Sequence, residues 1–510
     1  MALVQTSKPR VRVRAGSATM APAILRPSMA ASDTYEAGGL GRRSVGWTTS
    51  SPGPNAALLP HLDTLRARSR DAVRKNGLVK EGVEILIRDS VGVGLKPQIN
   101  DVDLQALWEN WVAQADAAGM TDFYGIQSIV VRSFLTAGDV FVRFRYRYIG
   151  DTDKNGVEIN PPFQIQILES EQVPTSKTRS AGIGINAIVA GVEFDAVGRR
   201  VAYHMYREHP GDGISVSNFE TVRVPAEDVL HVFEVNRPGQ VRGEPRLVCA
   251  LVKARDLDQY DDAEMVRKKG AAMYGGFLRA PSLPEGVAVF GEGTSPDGTT
   301  SADEEVNIQP LEPGTFPILP PGYDVTFSEP ADVGGNYGAF NKEQKRYIAS
   351  AIGVLYPDLS QDFDGLNDRS YRAMVLPYRR KIEVLQDNTI IACLCRPTWI
   401  RFVNLAIAAG AWTMPAGTTL SQWHNVRWMP HVHKYMNPSQ EIAAVIAAIR
   451  AGLMSRKQAA SELGWNIDDI DREIAADNER ADRMGLAFDS DGRKPAGQAA
   501  FAPDSEEDQK

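Results

Sequence analysis

The chain is poor in cysteine, with three in 510 residues. An odd number in a chain of this length argues against a disulfide framework and indicates a reducing compartment. Cys393 and Cys395 stand two positions apart at the apolar run 390–394, which predicts buried thiols rather than metal ligands. Cys249 is the third cysteine.

Long apolar runs are also lacking. No stretch of 18 apolar residues occurs, so the sequence predicts no membrane span, and no apolar segment of secretory length lies near the N-terminus. The first 32 residues contain no acid and hold five basic residues: Lys8, Arg10, Arg12, Arg14 and Arg26. This composition is also that of a transit peptide, but we favour a disordered basic arm.

An excess of basic charge is absent as well. The formal net charge is −8, whereas a protein with a general nucleic-acid-binding surface is usually basic. The dipeptide Gly-Lys does not occur, which excludes a P-loop ATPase. We find no internal repeat.

The periodicity that is present predicts an α+β fold with several domains. Residues 56–244 read as one mixed α/β domain. The predicted helices are Pro60–Asn76, Val79–Asp89, Asp103–Ala118 and Tyr124–Leu135. The predicted strands are Asp139–Tyr148, Phe163–Leu168, Gly191–Phe194, Val201–Tyr206 and Val229–Val235.

A long amphipathic helix is predicted from Pro245 to Leu278. Proline is favoured at the first helical position, and at 1.5 Å per residue the helix would be about 50 Å long. Its apolar positions recur at steps of three and four residues: Leu247, Leu251, Ala254, Leu257, Tyr260 and Ala263. Heptads do not persist, so the pattern indicates a strut in a large assembly rather than a simple coiled coil.

The second half of the chain reads as a loop-rich insertion followed by helices. The insertion, 280–335, is rich in proline and glycine. The predicted helices are Tyr337–Val354, a long mostly helical run Ser370–Thr398, Pro438–Ala451 capped by Asn437, Ser455–Leu463 and Asp468–Met484. The acidic, polar end of the chain is predicted to be disordered.

Three motifs carry weak chemical signals. Residues 151–156 match the start of a calcium loop, but position twelve is Pro162, so we expect a hairpin loop. Residues 182–187 match a dinucleotide pattern without a preceding strand, which favours a loop. His424, His431 and His433 lack a carboxylate or cysteine nearby, so we expect structural roles.

Three aspartates, Asp362, Asp364 and Asp368, share one loop. Three carboxylates of a nuclease could hold divalent metal, which leaves open a metal-dependent DNA-processing enzyme. Alternatively they are simply solvated. Basic residues follow them: Arg369, Arg372, Arg379, Arg380 and Lys381. These bases either face a functional surface or pair with neighbouring acids.

Several segments, in the same order, resemble the lambda-type family of tailed-phage portal proteins. They are residues 65–71 with Asn76, 91–94, 237–243 with the helix that follows, 346–354, and 441–452 with Trp465. They span roughly residues 56 to 485. Their combined order, rather than any single piece, is the specific part of the resemblance.

The resemblance implies a portal fold and a ring of about twelve copies at one capsid vertex. The implied divisions are a disordered basic arm (1–55), a mixed α/β wing (56–244), a first stem helix (245–279), a clip (280–335), a second stem helix (336–357), a channel loop (358–372), a wing or channel helix with strands (373–435), a helical crown (436–486) and a disordered acidic tail (487–510).

It further implies a channel through which double-stranded DNA enters during packaging and leaves at infection. The implied partners are the terminase large subunit, the major capsid protein and a head-completion adaptor, with no membrane, cofactor, metal or catalytic residue. The channel-facing residues would be Asp362, Asp364, Asp368, Arg369, Arg372, Arg379, Arg380 and Lys381. Mobile, weak contacts to phosphate would guide DNA, since strong neutralisation gives tight, salt-sensitive binding.

Overall fold

The computed structural model describes residues 50–212, 220–272, 276–279, 324–327, 337–429 and 438–486, with residues 488 and 493. The predicted basic arm up to residue 49, most of the clip, the tail beyond 486 apart from these two residues, Asn437, His431 and His433 lie outside the described residues. All elements below belong to one compact unit that begins at Gly53.

The first helices confirm the predicted α/β pattern. They are α1 (Pro54–Leu58), α2 (Leu62–Lys75), α3 (Gly77–Ser90), α4 (Val102–Gln114) and α5 (Phe123–Ala137). Asn76, Asp101 and Asp122 cap α3, α4 and α5 by accepting hydrogen bonds from backbone amides of the first turn. The predicted helix Pro60–Asn76 begins later, and the short α1 precedes it.

The strands of the first half form two antiparallel sheets, apart from the short first strand, which pairs with a strand of the second half. The strands are β1 (Lys96–Gln98), β2 (Asp139–Tyr146), β3 (Phe163–Leu168), β4 (Ala187–Val189), β5 (Val192–Phe194), β6 (Arg200–Met205), β7 (Val222–Pro225) and β8 (Val229–Phe233). One sheet has the order β3-β2-β8, and the other has the order β4-β5-β6-β7. The sequence did not predict β1, β4 or β7, which are only three or four residues long.

Strand β2 is buried on both faces over its first half. Val140, Phe141 and Val142 are all 0% exposed. Val140 and Val142 pack in the main core, whereas Phe141 packs in a second core beneath the four-stranded sheet. The central strand therefore joins two cores, and its partly exposed residues begin only at Arg143.

The second half contains the long helices. They are α6 (Val248–Ala272), α7 (Tyr337–Ile352), α8 (Tyr356–Ser360), α9 (Asp368–Leu385), a π-helical segment (Gln386–Cys395), α10 (Arg396–Ala408), α11 (Leu420–His424), α12 (Pro438–Arg450), α13 (Arg456–Glu462) and α14 (Ile467–Met484). The remaining strands are β9 (Gly276–Arg279), β10 (Asp324–Phe327) and β11 (Arg427–Met429).

The helix predicted from Pro245 to Leu278 is shorter than expected. It starts at Val248 because the Arg246 amide donates to Leu135 O, 3.1 Å away, and holds that turn against α5. It stops at Ala272, and β9 then pairs with β10 in an antiparallel ribbon. Strand pairing thus replaces the last predicted helical residues.

One helix among the described residues, Asp368–Ala408, has the length and apolar composition to cross a membrane, but half of its most apolar stretch is buried inside the protein. Its aromatic residues Trp399 and Phe402 contact Trp108 of α4, with ring centroids 5.2 Å and 4.9 Å apart. Cys395 is fully buried there, as predicted, whereas Cys393 is half-buried. Packing in the main core accounts for the apolar character of this helix.

A buried ionic cluster joins the first half to the start of α6. Asp139, at the beginning of β2, is 0% exposed. Its carboxylate accepts hydrogen bonds from Arg66 of α2 (3.0 Å), Arg242 Nε (2.6 Å), His231 Nε2 (3.1 Å) and the Gly243 amide (3.2 Å). Burial raises the pKa of Asp139, but Arg242, Arg66 and His231 outweigh it and hold this pKa well below its usual range.

Position 243 requires a glycine because its backbone lies against that of Gly138. A Cβ on Gly243 would lie 1.9 Å from Gly138 O, and Gly138 itself has φ +93°. Only two residues without side chains allow these backbones to touch. The Arg-Gly pair at 242–243 is therefore both the ionic partner and the close-packing point of Gly138-Asp139.

Removing one base from this cluster tests its contribution. We expect Arg66→Met to lower the free energy of unfolding by about 3–5 kcal/mol, because a buried carboxylate loses a charged partner. Denaturant unfolding of the purified chain measures the change. Arg68, exposed two residues further along α2, is the control, and Arg68→Met should change it by less than about 0.5 kcal/mol. Equal effects would contradict a special role for the cluster.

His231 predicts a pH dependence of stability. Burial lowers its pKa to about 4, against the hydrogen bond to Asp139, which raises it. The unfolded chain then binds a proton on His231 from about pH 6.5 downward, while the folded chain does not until about pH 4. The stabilisation that neutral, buried His231 contributes to the folded state is therefore complete above about pH 6.5 and is lost as the pH falls toward 4.

We expect this residue to account for about 2 kcal/mol of the stability lost between pH 7 and pH 5. His231→Gln, which still offers an N–H to Asp139, should remove that share. The measurement is the free energy of unfolding of both proteins at the two pH values. Parallel pH profiles would contradict the assignment.

Candidate functional site

Helices α6 and α7 pack side by side in opposite directions. Tyr337 and Asn341 at the start of α7 both donate to one oxygen of Asp261, each at 2.8 Å. At the other end Arg246 donates to the carbonyl of Ile352 at 3.4 Å. The antiparallel β9–β10 ribbon continues the pair beyond these contacts.

Only part of the predicted apolar face of α6 is buried by this packing. Leu247, Ala254 and Leu257 lie in the main core, with Leu257 5% exposed. Tyr260 is 38% exposed and contacts the Phe340 ring at 5.1 Å. Ala263 is exposed. The far half of the helix pair therefore stands clear of the core and shows most of its surface.

The aspartate loop between α8 and α9 is anchored to α7. Asp362 accepts hydrogen bonds from Lys342 (2.8 Å) and from the Tyr356 hydroxyl (2.7 Å). These bonds hold the pKa of Asp362 far below its usual value, the Lys342 bond being the largest cause. Gln361, in the left-handed region with φ 56°, turns the chain into the loop. Asp362 thus positions the loop.

The three aspartates do not form a metal site. Their ligand oxygens do not all lie within 4.8 Å of one another, and Asp368 instead pairs with Arg372 at 3.4 Å. Over the described ranges the one such group is Glu169, Glu171 and His209, where Arg70 pairs with both glutamates. The alternative of a metal-dependent enzyme at Asp362, Asp364 and Asp368 has no support.

Helix α9 presents a basic surface opposite its buried side. Val375, Tyr378, Ile382 and Leu385 are buried, and Tyr378 donates to Asp89 of α3 at 2.7 Å. At about 100° per residue, Arg369 and Arg380 fall on the opposite side, where both are exposed. Arg372 and Arg379 flank them and are half-buried, and Lys381 is exposed. No acidic residue occurs from 369 to 382.

The weaker motifs are structural. Asp153 accepts from the amides of Asn155 and Val157, each at 2.9 Å, so its carboxylate closes the predicted hairpin loop. Gly182 and Ile185 bond each other's backbones in a tight turn, which confirms a loop. His424 bonds Asn404 at 2.8 Å, in line with a structural role.

The sequence did not single out Asp139, Asp261 or Lys342 as residues that position these helices. Arg66 and Arg242 did lie in the segments that carry the resemblance. The only sequence feature that could have pointed to Asp139 as a buried ionic residue is its position at the start of a strand, directly after a glycine.

Comparison with known proteins identifies the class. The profile of the phage portal proteins of the lambda family matches residues 40–386. The probable portal protein of Halomonas phage phiHAP-1 is 24% identical over 97% of this chain and 95% of its own. The portal protein of Escherichia phage N15 is 22% identical (85% and 87%), and portal protein B of Escherichia phage lambda is 20% identical (85% and 86%).

Among solved structures, a chain in the neck of an empty gene transfer agent particle, computed with C6 symmetry, aligns at TM-score 0.45 and 14% identity, covering 83% of this chain and 98% of that one. A chain in the native neck computed with C12 symmetry aligns at 0.45 and 14%, covering 79% and 93%. The family profile and the curated relatives define the class: a structural component of tailed-phage particles. The chain belongs to the lambda family of phage portal proteins.

The anchoring of the aspartate loop can be tested by hydrogen exchange. We expect Asp362→Asn to speed exchange of the loop amides by about fivefold, because the charged hydrogen bond from Lys342 to the loop is weakened. Asp364→Asn is the matched control, since Asp364 is exposed and its side chain makes no hydrogen bond or ion pair with the described residues. Equal acceleration by both variants would show that Asp362 is not the anchor.

Proposed function

We propose that about twelve copies of this chain form a ring at one capsid vertex, through which double-stranded DNA enters and leaves the head. Membership of the portal family supports this role. The single structural observation that carries this proposal is the α6–α7 helix pair. One end of the pair is anchored in the core and the other end is exposed, as expected of helices that stand side by side around a ring.

In this arrangement α6 and α7 form the stem, and α9 with the loop before it faces the channel. Arg369 and Arg380 project from the exposed side of α9, and Arg372, Arg379 and Lys381 border them. In a closed ring each residue is repeated once per copy. Rings of guanidinium groups contact phosphate wherever the duplex lies, whereas the negative total charge keeps the overall attraction weak.

Asp364 and Asp368 would lie at the mouth of this basic surface, while Asp362 holds the loop to α7. The remaining assignments follow the family: residues 280–335 as the clip that meets the terminase large subunit and later a head-completion adaptor, 56–244 as the wing against the major capsid protein, and 436–486 as the crown. Assembly would take place in the host cytoplasm and the ring would remain in the virion.

Electron microscopy of the purified protein tests ring formation directly. For the channel, we expect Arg369→Gln with Arg380→Gln to leave rings intact and to lower the DNA packaged per particle several-fold, because phosphate contacts are lost. Arg199→Gln, an exposed arginine in the β5–β6 turn, is the control and should package normally. Purified protein that remains monomeric would refute the ring. Normal packaging by the double variant would refute the channel assignment.

A further inference from the structure

We infer that the π-helical segment Gln386–Cys395 sets the direction in which the basic side of α9 faces. The segment takes up about two surplus residues, so that α9 and α10 both pack on the core although they belong to one continuous helix. The inference rests on the proposed channel surface, because it names the element that turns Arg369 and Arg380 outward.

The helix that contains this segment runs without a break from Asp368 to Ala408. Its successive parts contact different elements of the fold. Helix α9 packs on α3, the π-helical segment packs on β8 and α5, and α10 places its aromatic rings against α4. Each part therefore has to turn a packing side toward the core as the helix passes.

The spacing of buried residues changes along this helix. In α9 and in α10 they recur at steps of three and four residues. Across the π-helical segment the step is five, since Leu385, Ile390 and Cys395 are each at most 3% exposed. Gln386 and Ile391 form a second buried pair with the same spacing.

An α-helix cannot turn these residues to one side. At about 100° per residue, Ile390 and Cys395 would lie about 140° and 280° around the axis from Leu385. In a π-helix each amide bonds the carbonyl five residues earlier, as the Arg396 amide does with Ile391 O. Residues five apart then lie on the same side, so the buried positions fit the π-helix and not the α-helix.

The parts on either side of the segment are fixed independently. Tyr378 donates to Asp89 at 2.7 Å, and the Gln386 amide donates to the carbonyl of Ser90 at 2.9 Å, so α9 is held to two adjacent residues of α3. Helix α10 is held by Trp399, which is 1% exposed. The rotation between these two attachments is therefore set by the core, and the segment between them has to match it.

The π-helical geometry supplies the match. A π-helix has about one residue more in each turn than an α-helix, so the two turns of this ten-residue segment hold about two surplus residues. Built as an α-helix, the same residues would rotate α9 by about 200° and lengthen the helix by about 3 Å. Arg369 and Arg380 would then face the core, and Tyr378 would point away from Asp89.

Shortening the segment tests this account. Asp387 and Asn388 are both exposed, and their removal deletes the two surplus residues. The buried residues then follow Leu385 at the spacing of one α-helical side, four, seven and eight positions on: Ile391, Leu394 and Cys395. We expect this chain to fold, to form rings and to package DNA as the wild type does.

Removal of Thr389 as well exceeds the surplus and should rotate α9 by about 100°. We expect this three-residue deletion to fail to fold or to package several-fold less DNA. Thr389→Ala in the full-length chain should behave as the wild type, which separates the loss of the Thr389 side chain from the loss of a residue.

Thiol labelling of unassembled chains reports the rotation of α9 directly. Val375 is 8% exposed and its neighbour Leu376 is 60% exposed. In a Cys249→Ser background, Leu376→Cys should react with a maleimide at least tenfold faster than Val375→Cys, both at full length and in the two-residue deletion. In a folded three-residue deletion this ratio should fall to about one.

A two-residue deletion that does not fold, or that loses the labelling ratio, would overturn the inference. So would a three-residue deletion that keeps both the ratio and normal packaging. These results leave the proposed function standing. Normal packaging by the variant that lacks both Arg369 and Arg380 would instead overturn the channel assignment, and it would leave the labelling ratio unchanged.

Discussion

The structure depends on a carboxylate that is fully removed from water. Asp139 can remain charged only because Arg66, Arg242, His231 and Gly243 all reach it, and these come from distant parts of the chain. Arg242 also donates hydrogen bonds to the backbone carbonyls of Val173 and Ala190, next to the four-stranded sheet. The path of the chain into α6 is thereby fixed to the central strand. A long helix that leaves the core needs such a fixed base, since its far half has little packing of its own.

Helices α6 and α7 extend away from the core, and the polar contacts between them lie in the groove where the two helices meet. Asp261 satisfies Tyr337 and Asn341 between the helices, and the remaining acids of α6 stay exposed. On the other side of α7, Lys342 holds the aspartate loop and so determines where α9 begins. The positions of the basic side of α9, of the anchored loop and of the free face of α6 therefore all follow from the way α6 and α7 are held to the core.

Much of the local structure could be predicted, because it follows from period and capping. Strand Phe163–Leu168 has the expected bounds, and helices α7, α12 and α14 lie within two residues of theirs. The short strand β1 was missed because three residues carry no period, and it forms only by pairing with β11. The end of α6 was misplaced because the β9–β10 ribbon outweighs helical propensity. Helix α10 continues past the expected end at Thr398, since Pro397 falls in its first turn, where no amide is needed.

By itself the sequence determined the alternation of helical and strand-like segments, the lack of nucleotide-binding motifs and the order of segments that marks the family. These are properties of neighbours along the chain. Only the tertiary structure decided that β2 is buried on both faces, that Asp362 is an anchor rather than a ligand, and which side of α6 is left uncovered. Each of these depends on groups brought together from far apart in the sequence, and burial and pairing in space decide what a side chain does.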